Sequence, residues 1–167
     1  MTDRTTWQDE IERQRRRLEA DLVSRQVGVF LTCVVFTFFL PFWAVFLSYL
    51  AVVGTEVMQR RLMCAYVEEA RPARRTAILA NAAAGMTAYC LPALFVWLDP
   101  EPLVKFTGVL ALVGALLSVS VVRSTHLAFG LSSGLPAATA LLWLPLPYPF
   151  DPVIDYRTAL AVAAVLV

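Results

Sequence analysis

The chain has 167 residues, of which 59% are hydrophobic and 16% charged, and its mean hydropathy is +0.66. An average soluble domain is about half apolar and a quarter charged, so both values are shifted toward a membrane protein. The apolar residues fall in long blocks, which argues against a soluble enzyme, a disordered tail or a disulfide-stapled secreted domain. The formal net charge is only +1, but the charges are unevenly distributed along the chain.

The N-terminal segment, residues 1–26, carries both charge signs and precedes the first apolar block. It is too long and too acidic for the basic region of a secretory signal peptide, so we expect it to be retained. Within it, residues 7–25 are predicted to form an amphipathic helix, because apolar residues recur at spacings of four and seven. These are Trp7, Ile11, Leu18 and Leu22. A short coiled coil, a helix on anionic lipid, a helix packed on a partner and a solvated charged lead-in all remain open.

The apolar stretch at 27–54 is too long for one ordinary membrane span and short for two. We predict two short spans, 22–40 and 42–58, with a turn at Pro41, which disfavours helix at the preceding residue and lacks a backbone donor. A hairpin also keeps the arginines before and after this stretch on one side of the membrane, as the positive-inside rule requires.

Four further apolar segments follow, and they predict an all-α polytopic bundle. The predicted spans are 76–98, 103–122, 126–146 and the start of a sixth at 158–167. The last segment covers only about 15 Å, half of the hydrocarbon core. We therefore expect five complete spans and part of a sixth, with residues 1–26 as a cytoplasmic lead-in and 27–167 as the transmembrane domain. Either the natural chain continues past Val167, or the order of the sixth helix is lost there.

The basic residues are divided very unequally by this arrangement. Twelve of the fourteen Lys and Arg residues fall on one side, and only Lys105 and Arg157 fall on the other. This predicts a cytoplasmic N-terminus. Aromatic residues near the opposite interface would form a belt. They are Trp97, Trp143, Tyr148, Phe150 and Tyr156.

No constellation of catalytic residues is recognisable, so we expect neither an enzyme nor a cofactor in this segment. The three cysteines, Cys33, Cys64 and Cys90, are far apart and indicate neither a disulfide framework nor a zinc site. The one histidine, His126, could ligate a pigment or sense pH, but an interfacial polar cap is the more usual role. Nothing in the pattern points to nucleic-acid binding.

Two polar residues inside the predicted spans are candidates for special roles. Glu56 lies one turn before Arg60, and an ion pair at that spacing, or snorkelling to the interface, is expected. Asn81 lies in a run of small residues that ends at Gly85, and packing between helices is favoured over contact with a ligand.

A GxxxG pattern, Gly130 to Gly134, marks a close helix contact within the bundle or between protomers. Pro92 and Pro136 predict kinks in the third and fifth spans. No charge lies at the middle of any span, which counts against a proton pump or an ion-coupled transporter.

The basic lead-in, the proline-turned hairpin at 29–58 and the segment GVLALVGALLSVSVVRSTHLAFGLSSGLPAATALLWLPL at 108–146 resemble a known arrangement. It is the N-terminal membrane domain of bacterial hybrid sensor histidine kinases, and the resemblance covers roughly residues 20–167. It implies a membrane-embedded sensory or anchoring domain in the bacterial inner membrane, possible dimerisation, and kinase modules beyond residue 167. The chain itself lacks the phospho-acceptor histidine box and the ATP-binding motifs.

An accessory subunit of a large respiratory or photosynthetic complex is the alternative, since it too needs no catalytic residues. A small transporter or membrane enzyme is the weakest hypothesis, because neither an inverted repeat nor a mid-membrane charge is visible. In all cases the expected partners are membrane lipids, with further copies of the chain or neighbouring membrane subunits.

Overall fold

The computed structural model describes residues 2–123 and 127–143, which form six α-helices and contain no strand. The helices are α1 (Thr2–Ala20), α2 (Leu22–Phe36), α3 (Phe42–Glu68), α4 (Pro72–Trp97), α5 (Pro102–Arg123) and α6 (Leu127–Trp143). The prediction of an all-α chain is confirmed for these residues. His126, the loop at 147–157 and the predicted sixth span at 158–167 lie outside them.

Three of these helices are long and apolar enough to cross a membrane: α3, α4 and Pro102–Val119 of α5. The helices α2 and α6 are apolar but have only 15 and 17 residues. A 15-residue helix covers about 22 Å, against about 30 Å for the hydrocarbon core. The prediction of five complete spans is therefore wrong by this measure, which gives three within residues 2–123 and 127–143.

The turn between α2 and α3 begins earlier than the predicted turn at Pro41. After Phe36 the helix tightens, and the amides of Phe38 and Phe39 donate to carbonyls three residues back, at 3.2 and 3.0 Å. Pro41 then caps α3, and its carbonyl accepts from the amide of Ala44 at 3.0 Å. Pro41 has no amide to donate to the carbonyl of residue 37, so it lacks the hydrogen bond that would continue α2 into α3.

The helices α2 and α3 run antiparallel around this turn. Arg25 contacts Glu56, and further along α2 the ring of Phe30 lies edge-on to Tyr49, with 6.2 Å between the ring centroids. In these two contacts the residue number rises along α2 while it falls along α3, which is the order expected for a hairpin. The N-terminal arginines and those of the α3–α4 region consequently lie at the same end of the bundle.

Helix α3 extends ten residues beyond its predicted end at 58. The arginines expected in a basic loop, Arg60 and Arg61, lie on its last turns instead, as does Cys64. Good helix formers fill this stretch, and Met63 and Tyr66 are buried against α1. Tertiary packing thus continues the helix past its apolar part, to a length of about 40 Å.

The charged N-terminal segment forms α1, which ends at Ala20, so Arg25 and Gln26 belong to α2 rather than to the lead-in. Helix α1 buries one face against the bundle. That face carries Trp7, Ile11, Gln14 and Leu18, each 7% exposed or less. Together with the last turns of α3 (residues 59–68) and the residues at 71–75, α1 forms what we call the basic end of the bundle.

Helix α4 is central, because it packs against α3, α5 and α6. Buried residues form one cluster mainly on α4, α5 and α6, and a second that joins α1 to α3, α4 and α6. Helix α2 contacts little besides α3, and large apolar side chains remain exposed along both. Phe38 is 80% exposed and Trp43 67%.

Candidate functional site

An ion pair joins α2 to α3 at the basic end. Arg25 Nη2 donates to Glu56 Oε1 at 2.7 Å, and the two side chains are only 16% and 14% exposed. The same nitrogen donates to the carbonyl oxygen of Leu18 at 3.0 Å. Pairing offsets the desolvation of both charges. Glu56 therefore pairs across the hairpin, not with Arg60 on its own helix as the i,i+4 spacing predicts.

A polar contact one turn away joins α3 to α4. Asn81 Nδ2 donates to the backbone oxygen of Thr55 at 2.8 Å and to Gln59 Oε1 at 2.6 Å. Gln59 is 5% exposed, and its Nε2 has no hydrogen-bond partner. A Cβ on Gly85 would lie 2.8 Å from Thr55 Oγ1, so the two helices approach closely here. Asn81 and Gly85 thus lie in one helix–helix contact, the packing role proposed for both.

The start of α1 is held by aromatic and cationic contacts. The Trp7 ring lies edge-on to Tyr66, with 6.5 Å between centroids and 68° between planes. The guanidinium carbon of Arg75 lies 3.7 Å from the centre of the Trp7 ring. Gln8 Nε2 donates to the carbonyl of Val67 at 3.4 Å. These contacts dock α1 on the end of α3 and the first turn of α4.

A charge network runs along the outer side of α1. Arg15 donates through two nitrogens to the carboxylate of Glu12, at 2.7 and 2.8 Å, and through Nη1 to Glu19 at 2.6 Å. Arg16 donates to Glu12 as well, at 2.9 Å. The hydrogen bonds from Arg15, and then Arg16, lower the pKa of Glu12 to about 2. The network supports helix formation in α1 at neutral pH.

The GxxxG pattern lies on α6. A Cβ on Gly134 would lie 3.6 Å from Val119 Cγ1, so Gly134 faces α5 within the chain. Gly130 is half-buried on the same helix. Between them Ser133 is fully buried and donates to the carbonyl of Phe129 at 2.8 Å. His126, the other candidate in this region, lies outside the described residues.

An open groove of about 520 Å³ lies between α4 and α6. Its lining is Thr87, Cys90, Leu94, Leu135, Pro136, Thr139 and Ala140. The hydroxyls of Thr87 and Thr139 donate to carbonyls of their own helices, at 2.9 and 2.8 Å. The groove therefore offers a ligand a mostly apolar surface.

Within residues 2–123 and 127–143, no group of three or more His, Cys, Asp or Glu side chains could hold a metal ion. The three cysteines are free, and only Cys64 is exposed. Among the described residues, the polar contacts of Arg25 with Glu56 and of Asn81 with Gln59 join helices to one another. What the arrangement can do is fix helices, and at the basic end it fixes α1.

Three features of this site have no counterpart in the sequence motifs. The first is that Arg25 is the partner of Glu56, and the second is that Gln59 accepts a hydrogen bond from Asn81. The third is the close contact of α4 with α5 at Gly108, where an added Cβ would lie 2.8 Å from the backbone oxygen of Ala93. A small residue on an apolar span was the available indication for Gly108, since such residues allow close approach.

Comparison with known proteins finds no family model, no curated protein and no solved structure that the chain matches.

Proposed function

We propose that the chain is the membrane-embedded sensory or anchoring domain of a bacterial signal-transduction histidine kinase. The observation that carries the proposal is the docking of charged α1 across one end of an apolar helical bundle, through Trp7, Arg75 and Tyr66. A bundle that fixes a polar helix at its edge suits an input or anchoring role. The kinase assignment itself rests on the resemblance over roughly residues 20–167.

In the proposed arrangement α3, α4 and α5 cross the membrane, and α2 returns along α3 as the other arm of the hairpin. The basic end lies in the cytoplasm, because it carries most of the arginines. The antiparallel α2 and α3 support this, since they bring both arginine-rich segments to one end.

The test is the natural gene product. Intact-mass measurement of the endogenous protein, joined with an autophosphorylation assay using labelled ATP, should find a longer chain that carries a phosphohistidine. Phosphate incorporation should survive substitutions in the apolar groove but be lost with the soluble modules. A natural polypeptide that ends at Val167, with no phosphorylation, would rule the kinase assignment out.

An accessory subunit of a large membrane complex is the second candidate, and the exposed apolar side of α2 and α3 favours it. In the apolar part of α3 only 11% of the residues are buried inside the chain. Such a surface must face lipid or neighbouring helices. Gentle detergent extraction followed by native electrophoresis separates the two ideas. Stoichiometric migration with a large complex supports the subunit, and a dimer of a longer chain supports the sensor.

A further inference from the structure

Arg25 connects three helices. It belongs to α2, its Nη2 donates to the carbonyl of Leu18 on α1, and the guanidinium pairs with Glu56 on α3. Leu18 is 2% exposed and belongs to the face by which α1 is docked. The ion pair that closes the hairpin and the hydrogen bond that ties down the end of α1 therefore share one side chain.

Glu56 has a second cation within reach of its own helix. Arg60 lies one turn further along α3, at the i,i+4 spacing that favours a Glu–Arg pair. Arg60 is half-buried, has no carboxylate within 4 Å among the described residues, and its Nε is buried without a hydrogen-bond partner. A half-buried cation without a counter-ion is costly, so Arg60 would gain from the carboxylate that Arg25 now holds.

We propose that Glu56 is a two-position switch that exchanges Arg25 for Arg60 and thereby releases α1. In the docked state, Arg25 holds Glu56 and the Leu18 carbonyl. In the released state, Glu56 pairs with Arg60, the α2–α3 tie opens, and Arg25 no longer fixes the end of α1. Both states keep Glu56 paired and leave one of the two arginines without a carboxylate, so the switch exchanges one ion pair for another.

The exchange concerns the fold of this chain and does not depend on the kinase assignment. The contacts of Trp7 and Gln8 hold the other end of α1, so release begins at Leu18 and spreads toward the N-terminus. A signal that moves α2 relative to α3 would act directly on the pair. The device would thus convert movement in the membrane into exposure of the buried face of α1.

Hydrogen exchange of the full chain in lipid nanodiscs tests the proposal, because it reports the opening of α1. Arg25→Gln removes the docked partner and should speed exchange in the α1 peptides by about tenfold. Arg60→Gln removes the competing partner and should slow exchange there, by about threefold or more. The matched control is Arg61→Gln, since Arg61 is the exposed neighbour of Arg60 and should leave α1 unchanged.

The Arg60 variant decides between a switch and a plain structural tie. A tie predicts no change on Arg60→Gln, and that result, or faster exchange, would overturn the proposal. Peptides from the centre of α4 must keep their exchange rates, which shows that the bundle is intact. Should Arg25→Gln disturb them, the comparison of Arg60→Gln with Arg61→Gln carries the test alone. Slower exchange in α1 for Arg60→Gln then supports the switch, and unchanged or faster exchange contradicts it.

Discussion

Arg75 holds the start of α1, because its guanidinium carbon lies 3.7 Å from the centre of the Trp7 ring. A cation over an indole face contributes about 0.5–2 kcal/mol, depending on its desolvation. Trp7 is itself 7% exposed and packs on Tyr66, so its burial adds to the cation–π contact. One aromatic side chain thus connects α1 to both α3 and α4.

Trp7→Ala should undock α1 while the apolar bundle stays folded. Truncating a buried aromatic residue costs about 3–5 kcal/mol, and here the loss falls on the docking of α1. In proteoliposomes or nanodiscs, trypsin cleavage at the arginines of α1 should therefore rise by about tenfold or more. The control is Trp43→Ala, since Trp43 is 67% exposed and lies in the first turn of α3, at the opposite end from Tyr66. Equal cleavage of both variants would contradict the docking role.

Asn81→Leu should weaken the α3–α4 contact by about 1–2 kcal/mol. The substitution removes two hydrogen bonds and leaves Gln59 buried with no partner for its amide. The double variant Asn81→Leu with Gln59→Leu should recover part of the loss, because removing both polar partners costs less than removing one. Reversible unfolding in mixed micelles measures both. Thr87→Val, whose hydroxyl bonds only within α4, is the control.

Gly108→Ala and Gly114→Ala should have opposite effects on stability, although both residues lie on α5. A Cβ at Gly108 would meet the backbone oxygen of Ala93 at 2.8 Å, and backbone cannot move aside cheaply. We expect a loss of about 1–3 kcal/mol. Gly114 has open space around it, so alanine there should be neutral or stabilise by up to about 1 kcal/mol. A loss at Gly114 that equals the loss at Gly108 would show that the α4–α5 contact is misplaced.

The end of α4 and both ends of α5 lie within one residue of the predicted spans, because local residues mark them, whereas α4 begins at Pro72, four residues before the predicted 76. Proline stands at the start of each helix, and the break between them contains Asp99 and Pro100. The C-terminal end of α3 was not predictable, because its last ten residues are polar and gave no sign that the helix continues past the apolar part. They are helical where they pack against α1, and a contact between segments so far apart in the sequence cannot be seen in the local pattern.

The sequence indicated which polar residues of the candidate site are special, but it did not indicate which residues they contact. Glu56 and Asn81 stand out because polar groups in apolar spans must be satisfied. Which group satisfies them depends on how neighbouring helices are rotated, and helical spacing on one segment cannot give that. The i,i+4 rule therefore selected Arg60 for Glu56, whereas the hairpin brings Arg25 to it.

The charge network of α1 predicts that the helix stability of α1 depends on pH through the ionisation of Glu12. Its pKa is lowered from 4.5 to about 2 by Arg15 and Arg16, so the folded helix favours the carboxylate. Glu12 therefore supports α1 above pH 4.5, and this support is lost as the pH falls from 4.5 toward 2. Each such pair is worth only about 0.2–0.5 kcal/mol at the surface. Circular dichroism of the peptide 1–21 at low temperature can resolve a change in helix content of this size.

The comparison is between the natural peptide and Glu12→Gln. The glutamine peptide should be less helical at pH 6, and the difference should vanish near pH 2, because Glu12 is then protonated in both the coil and much of the helix. The two peptides share every other carboxylate, so the difference between them reports on Glu12. A difference that does not change with pH would show that Glu12 acts without its charge.

Cys64 provides a direct test of the proposed orientation, because it is an exposed native thiol at the basic end. If that end is cytoplasmic, a membrane-impermeant maleimide should label Cys64 only after the cells are permeabilised. The matched site is Pro100→Cys with Cys64→Ser, in the exposed break between α4 and α5, which should react in intact cells. Cys33→Ala and Cys90→Ala remove background from the apolar helices. Because α4 joins the two sites and is long enough to cross once, labelling of both from the same side would refute the orientation and the crossing of α4 together.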